Sequence, residues 1–236
     1  MEKEKPALIL LHGGPGFDES YFYPFLNPLK DNYILHSYTL GSSSKDYTFK
    51  SLISELESVI AGIDKNEIYI LAHSFSSILT LNLSEKTLHK ITKIILSNWI
   101  YNSEWIENFY ENYPEERNYL SQSMRDDSFH YLKYYFNDQE KGRDVLSKIK
   151  FNDNLQKTVG DYYLESSHEK NLGLFHSKIF SISSDFDKIT TKNYILTGAQ
   201  KFNLKNFNIE DSSHFPFVDT PNDFLHLVRH IFKKQI

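Results

Sequence analysis

Four short apolar runs constrain this chain more than any other feature: 7–11 (ALILL), 67–72 (EIYILA), 91–97 (ITKIILS) and 178–182 (KIFSI). Each is about one strand long and nearly continuous in its apolar character, as in strands covered on both faces. A weaker run at 33–37 (YILHS) reads as a further strand, as does 204–209 near the end. Between the strands at 33–37 and 67–72, residues 50–63 place Leu52, Ile53, Leu56, Val59, Ile60 and Ile63 on one helical face. A second helix is expected over about 75–84. Residues 221–234 (PNDFLHLVRHIFKK) close the chain as an amphipathic helix with a proline at its start. Strands alternating with helices imply parallel strands joined by right-handed crossovers, an α/β sheet.

The texture changes after Ser97. Residues 99–176 hold both tryptophans, many tyrosines and runs of Glu, Asn and Lys, without a clear buried-strand pattern. Helical spacing in "EWIENFYENY" and "FHYLKYYF" marks this stretch as a helical cap inserted into a core formed by 1–98 and 177–236. With 236 residues the chain can build one good-sized domain carrying such an insertion. The absence of cysteine rules out a disulfide framework, cysteine catalysis and thiolate metal sites. A net charge of −5 gives no electrostatic reason to expect nucleic acid or an anionic membrane as partner. The N-terminal apolar run is too short for a signal-peptide core or a membrane span, so a cytoplasmic location is expected.

Three stretches carry chemistry. "LLHGGPGF" at 10–17 ends a buried strand in a glycine-rich turn, which can present main-chain N–H groups to a cavity without side-chain obstruction. The bland alternative is a tight turn in which His12 packs and the glycines serve only the backbone. "YILAHSFSSIL" at 69–79 runs from strand to helix through Ser74, with small residues, Ala72 and Ser76, two before and two after it. That is the form of a nucleophile elbow, although glycine is usual at both flanking places; the alternative is a serine capping a helix. "IEDSSHFPFVDTP" at 209–221 sets His214 between a short strand and the last helix, where a general base belongs if Ser precedes His in the chain.

Together the three resemble the α/β-hydrolase fold, and within it the proline iminopeptidase-like branch. "LLHGGPG" is that branch's signature as it stands, "LAHSFSSILTL" resembles its elbow with serines for two glycines, and "DSSHFPFVDTP" resembles its histidine segment. "HSYTLGSSS" at 36–44 resembles the family's Asp-x-x-Gly-x-Gly-x-Ser loop but departs from it at Ser37, Thr39 and Ser42. The resemblance implies a mostly parallel sheet, of about six strands here, because there is little room before the His-Gly loop for the family's first antiparallel strands. It also implies acyl transfer on Ser74, with His214 moving the proton and the N–H groups of Gly14 and Phe75 holding the oxyanion. No cofactor is implied, and the partner is a small ester, amide or short peptide.

The third triad member has two registers. If 178–182 is the penultimate strand, "SSDFDKI" follows it and Asp187 is the acid, with Asp185 as its neighbouring fallback. If "DKITTKNYILTG" is the run into that strand, Tyr194–Thr197 are buried in it, and the acid comes from elsewhere, for example Glu104, or is absent. "NYILTGAQ" makes a poor helix, with Gly198 and β-branched residues in it, whereas the chemistry of a triad favours Asp187.

Gly13, Trp99 and Trp105 are the candidate substrate contacts, the tryptophans either lining a pocket or packing the cap on the sheet. Glu104, Glu107, Glu111, Glu115 and Glu116 cluster early in the cap; the resembled branch uses cap glutamates to hold a substrate amine, but no single position here matches them, and a solvated helix face is the favoured reading. His226 and His230 stand at i, i+4 without a third ligand, so no metal is expected. The leading reading is a serine hydrolase of small esters or amides, including an aminopeptidase of proline iminopeptidase type. Its rival is a non-catalytic, hydrolase-like small-molecule-binding or interaction protein.

Overall fold

The computed structural model describes residues 4–42, 47–117, 130–159 and 169–233. Residues 43–46 of the polar loop, and 118–129 and 160–168 of the stretch expected as a cap, lie outside them. The described strands are β1 (Ala7–Leu11), β2 (Ile34–Ser37), β3 (Ile68–His73), β4 (Lys93–Ser97), β5 (Ile179–Ser184) and β6 (Lys205–Ile209). They form one parallel sheet in the order β2-β1-β3-β4-β5-β6.

Alternation along each central strand sorts its side chains to two faces. Ile9, Leu11, Ile70, Ala72, Ile94 and Leu96 enter one core layer, under α1 (Phe49–Ala61), α2 (Ser76–Leu81) and α3 (Glu85–Lys90). Leu8, Leu10, Tyr69, Leu71, Ile95 and Ile182 enter the other. Both faces are covered, which is why these strands read as continuous apolar runs.

Between β4 and β5 the described residues hold helices and no strand: α4 (Glu104–Asn112), α5 (Leu132–Tyr135), α6 (Gln139–Lys148), α7 (Asp153–Val159) and α8 (Glu169–Phe175). After β5 come α9 (Lys192–Lys201), then β6, α10 (Pro216–Asp219) and α11 (Pro221–Lys233). The amphipathic pattern of α11 buries Phe224, Leu225, Val228, Ile231 and Phe232 in the second layer.

The structure decides between the two registers. Residues 192–201 are helical, capped by the Thr191 side chain accepting from the Tyr194 N–H. The stretch that looked like a buried strand therefore packs as α9 against the sheet, with Tyr194, Ile195, Gly198 and Ala199 turned inward. Gly198, an argument against a helix, is there for space. A Cβ on it would lie 2.5 Å from Cε1 of Tyr101 and 3.2 Å from the Trp99 ring. The helix-propensity loss at glycine, about 1 kcal/mol, is outweighed by this close approach.

The order of strands also fixes where a site can form. From β1 the chain steps outward to β2, and from β3 it steps the other way to β4. The connections therefore diverge over the carboxyl ends of β1 and β3, the place where open α/β sheets carry their binding crevices.

Gly198→Ala tests the packing argument, since helix propensity and steric fit predict opposite signs. Urea unfolding is expected to show destabilisation of about 1–3 kcal/mol; a gain in stability would mean that Tyr101 and its stacked partner Tyr194 yield freely.

Candidate active site

Ser74 follows the last residue of β3 and holds φ at +53°, a left-handed conformation that is strained for a side chain with a Cβ. The strain is held on both sides. Its N–H donates to the Ser97 carbonyl at 3.0 Å, and the Ser77 N–H and hydroxyl both donate to its own carbonyl. Ala72 and Ser76, which stand where glycines are usual, are fully buried. The Ser76 hydroxyl is tied to the carbonyl of His12 at the end of β1. Serine thus closes by a hydrogen bond the gap that glycine closes by having no side chain.

The histidine-glycine loop is braced as well. His12 donates from Nδ1 to the Gly13 carbonyl at 2.8 Å and accepts at Nε2 from the Leu40 N–H at 2.9 Å. Burial lowers its pKa, and the accepting Nε2 requires the neutral ring. Gly14, at φ +121°, has a conformation that side chains rarely adopt.

His214 lies after β6, and Nε2 is 3.0 Å from Oγ of Ser74. Its Nδ1 is 2.9 Å from Oδ2 of Asp187, in the loop after β5. Because the carboxylate only accepts, Nδ1 carries the proton and Nε2 faces the serine as the acceptor. The structure thus brings Ser74, His214 and Asp187 into one hydrogen-bonded line. Asp185, the fallback, is instead paired with Lys192 at 2.7 Å and accepts from Asn208 at 2.9 Å. Glu104 is an exposed first-turn residue of α4.

Asp187 is only 4% exposed. Oδ1 accepts from the N–H groups of Ile189 and Thr190, while Oδ2 accepts from His214, the Thr190 hydroxyl and Nδ2 of Asn98, the last at 2.8 Å. Burial alone would raise its pKa; the adjoining His214 and hydrogen bonds from His214, Asn98 and Thr190 outweigh it and hold the carboxyl below its ordinary value of 3.8. The ionised form therefore adds stability at neutral pH, a contribution lost only as pH falls through that lowered value.

Asn98 is the residue that the sequence reading missed. It follows β4 at φ +48° and also donates to Ser184 Oγ at 3.0 Å. The only signal was its place directly after a buried strand. Tyr135 of α5 was missed too. Its ring stacks on His214 at 5.6 Å, and burial, with the charge of Asp187 adding, pushes its pKa up to about 12, so the phenol stays neutral. Phe17 meets Tyr135 edge-on at 6.3 Å and Phe151 at 5.8 Å, which continues an aromatic wall beside His214.

The tryptophans do not share one role. Trp99, a candidate substrate contact or packing residue, is 0% exposed and donates from Nε1 to Ser181 Oγ at 2.7 Å, so it packs the core and has no surface to offer a substrate. Trp105 is half-buried on α4, between the core layer and a cluster of Phe109, Tyr134 and Ile189. Gly13 lies against Ser74, where a Cβ would be 3.1 Å from that of the serine. Glu104, Glu107, Glu111 and Glu115 are exposed, whereas Glu116 is buried and accepts from Tyr134 and His130. His226 and His230 are exposed, and the described residues contain no group of three or more side chains able to hold a metal. No helix among them is long and apolar enough to cross a membrane.

No family model matches the chain, and no curated protein matches its sequence. Solved structures do match. A proline iminopeptidase-related protein of Thermus thermophilus superposes with a TM-score of 0.77 at 16% identity, over 97% of this chain and 89% of that one. An α/β-fold family hydrolase of Bacillus anthracis str. Sterne gives 0.76 at 18% identity, over 96% and 91%. A thermophilic esterase of Thermogutta terrifontis gives 0.73 at 14% identity, over 98% and 90%. Likeness over nearly the whole length, together with the six-stranded parallel sheet, shows that this chain has the α/β-hydrolase fold.

Proposed function

We propose that the protein is a serine hydrolase of small carboxylic esters or amides, acting through an acyl-enzyme on Ser74. The carrying observation is the unbroken line from Ser74 Oγ through His214 to Asp187, at 3.0 and 2.9 Å. A non-catalytic relative has no need to keep a strained serine, a correctly protonated imidazole and a buried carboxylate in register. The esterase and hydrolase structures of like fold support the same class.

In this reading Ser74 Oγ attacks the substrate carbonyl carbon while His214 Nε2 takes its proton. The resulting imidazolium is stabilised by Asp187 through Nδ1–H. The oxyanion is met by main-chain N–H groups of Phe75 and Gly14. Gly14 is the donor from the first loop because the N–H of Gly13 is already given to the Tyr21 hydroxyl. Collapse of the tetrahedral intermediate expels the alcohol or amine, which receives the proton from Nε2. Water then repeats the sequence on the acyl-enzyme, giving the acid and free Ser74.

The helices between β4 and β5 act as the cap in this proposal, with Tyr135 beside the base. Aminopeptidase specificity has weaker support than ester hydrolysis. The single buried cap glutamate among the described residues, Glu116, already accepts from Tyr134 at 2.6 Å and His130 at 2.5 Å, with Lys133 3.5 Å away. It serves as a brace within the cap.

A fluorophosphonate probe is expected to label the wild type and not Ser74→Ala; folded wild type that stays unlabelled would overturn the proposal. Asp187→Asn is expected to lower kcat on a p-nitrophenyl ester by about 10⁴-fold, as loss of the orienting carboxylate does in a serine triad. Asn98→Gly tolerates the positive φ and removes one donor to Asp187. It should lower kcat by about 10-fold or more, at the strength of a hydrogen bond to a charged group, with little change in KM.

A further inference from the structure

Outside the triad, two buried side chains complete a hydrogen-bonded path between the histidine-glycine loop and the catalytic histidine. His73, one residue before the nucleophile, places Nε2 at 2.7 Å from the main-chain oxygen of His214 and Nδ1 at 3.0 Å from the Tyr21 hydroxyl. A carbonyl oxygen only accepts, so Nε2 carries the proton and Nδ1 accepts from Tyr21. The Tyr21 oxygen in turn accepts from the N–H of Gly13. Each atom on the path has one compatible role, and both side chains are only 1% exposed.

The surroundings leave little room for another arrangement. Tyr21 stacks on Phe217 at 5.7 Å, and the His73 ring lies 4.9 Å from Phe215 and 5.1 Å from His214. Burial, with His214 beside it, lowers the His73 pKa to about 3, so the ring is neutral at working pH.

We propose that Tyr21 and His73 are positioning residues, a single hydrogen-bonded brace that holds the oxyanion loop and the general base in register with each other. This rests on the serine hydrolase reading. At one end the brace fixes the Gly13 peptide, and with it the adjoining N–H of Gly14. At the other it fixes the carbonyl of His214, the main-chain anchor from which its ring reaches both Ser74 and Asp187. The loop, the His73 ring and the nucleophile leave no room for a side chain between them, since a Cβ on Gly13 would be 3.1 Å from both His73 Nδ1 and Ser74 Cβ. A neutral ring is suited to this place. When His214 takes the serine proton, a donor without charge adds no repulsion beside the new imidazolium. No proton moves along the brace, because it ends on a carbonyl.

The test uses Tyr21→Phe, His73→Leu, His73→Gln and the double variant Tyr21→Phe/His73→Leu, with p-nitrophenyl acetate as substrate. Turnover is expressed per site titrated by fluorophosphonate, so that misfolded protein does not count. Tyr21→Phe and His73→Leu should each lower kcat per titrated site by about 10- to 100-fold with KM nearly unchanged. The double variant should lose little more than the worse single one, because either substitution breaks the same brace. His73→Gln, which keeps a donor for the His214 carbonyl, should recover part of the loss seen in His73→Leu. A merely structural role would lower the titrated fraction and leave turnover per site within about twofold of wild type, and that result overturns the inference. Wild type that is neither labelled nor active overturns the hydrolase reading first, so the two failures are distinguishable.

Discussion

A carboxylate taken out of water has to be met by donors on every side, and the site is arranged around the one at Asp187. Its five hydrogen bonds come from three separate places: Asn98 after β4, Ile189 and Thr190 in its own loop after β5, and His214 after β6. Removing any one donor leaves part of a buried charge uncompensated, at a cost far above that of a surface ion pair. The carboxylate therefore locks the ends of three neighbouring strands together, and the imidazole is oriented as a consequence. Ser74 joins the same assembly through the bond of its N–H to Ser97, the last residue of β4.

Around this charge, polar side chains take the places that glycines hold in other elbows. Ser76 ties the elbow to the end of β1, and Ser77 holds the Ser74 carbonyl while accepting from the Ile100 N–H at 3.0 Å. Further out, Ser181 accepts from Trp99 and donates to Asn206 at 2.7 Å, and Asn206 donates back to Ser183. Each of these buried groups is satisfied by a partner on a neighbouring element, so the serine-rich interior stays compatible with a close-packed core.

The sheet was legible because apolar continuity reports burial on both faces, a local property of each segment. Ser74 and His214 were legible for a related reason, since each sits at a strand end inside a stretch of distinctive small or aromatic residues. Asp187 was legible only as one of two registers. The choice turned on whether 192–201 is strand or helix, and Gly198 argued the wrong way because its reason lies in Tyr101, nearly a hundred positions earlier in the chain. Tyr21 and Tyr135 carry no local mark at all, and Asn98 carries only its place directly after a buried strand. A lone asparagine or tyrosine has the same propensities whether it braces a triad or faces solvent.

By itself the sequence determined the alternation of strands and helices, the two glycine-poor and glycine-rich turns that flank the site, and the order in which serine and histidine appear. These follow from periodicity and residue size over a few neighbouring positions. Only the tertiary structure decided which carboxylate meets His214, that Trp99 belongs to the core, and that Tyr21 and His73 connect the loop after β1 to the histidine after β6. Hydrogen bonds and ring contacts between residues 52 to 141 positions apart depend on how crossovers place strand ends side by side, and no local pattern in the chain encodes that distance.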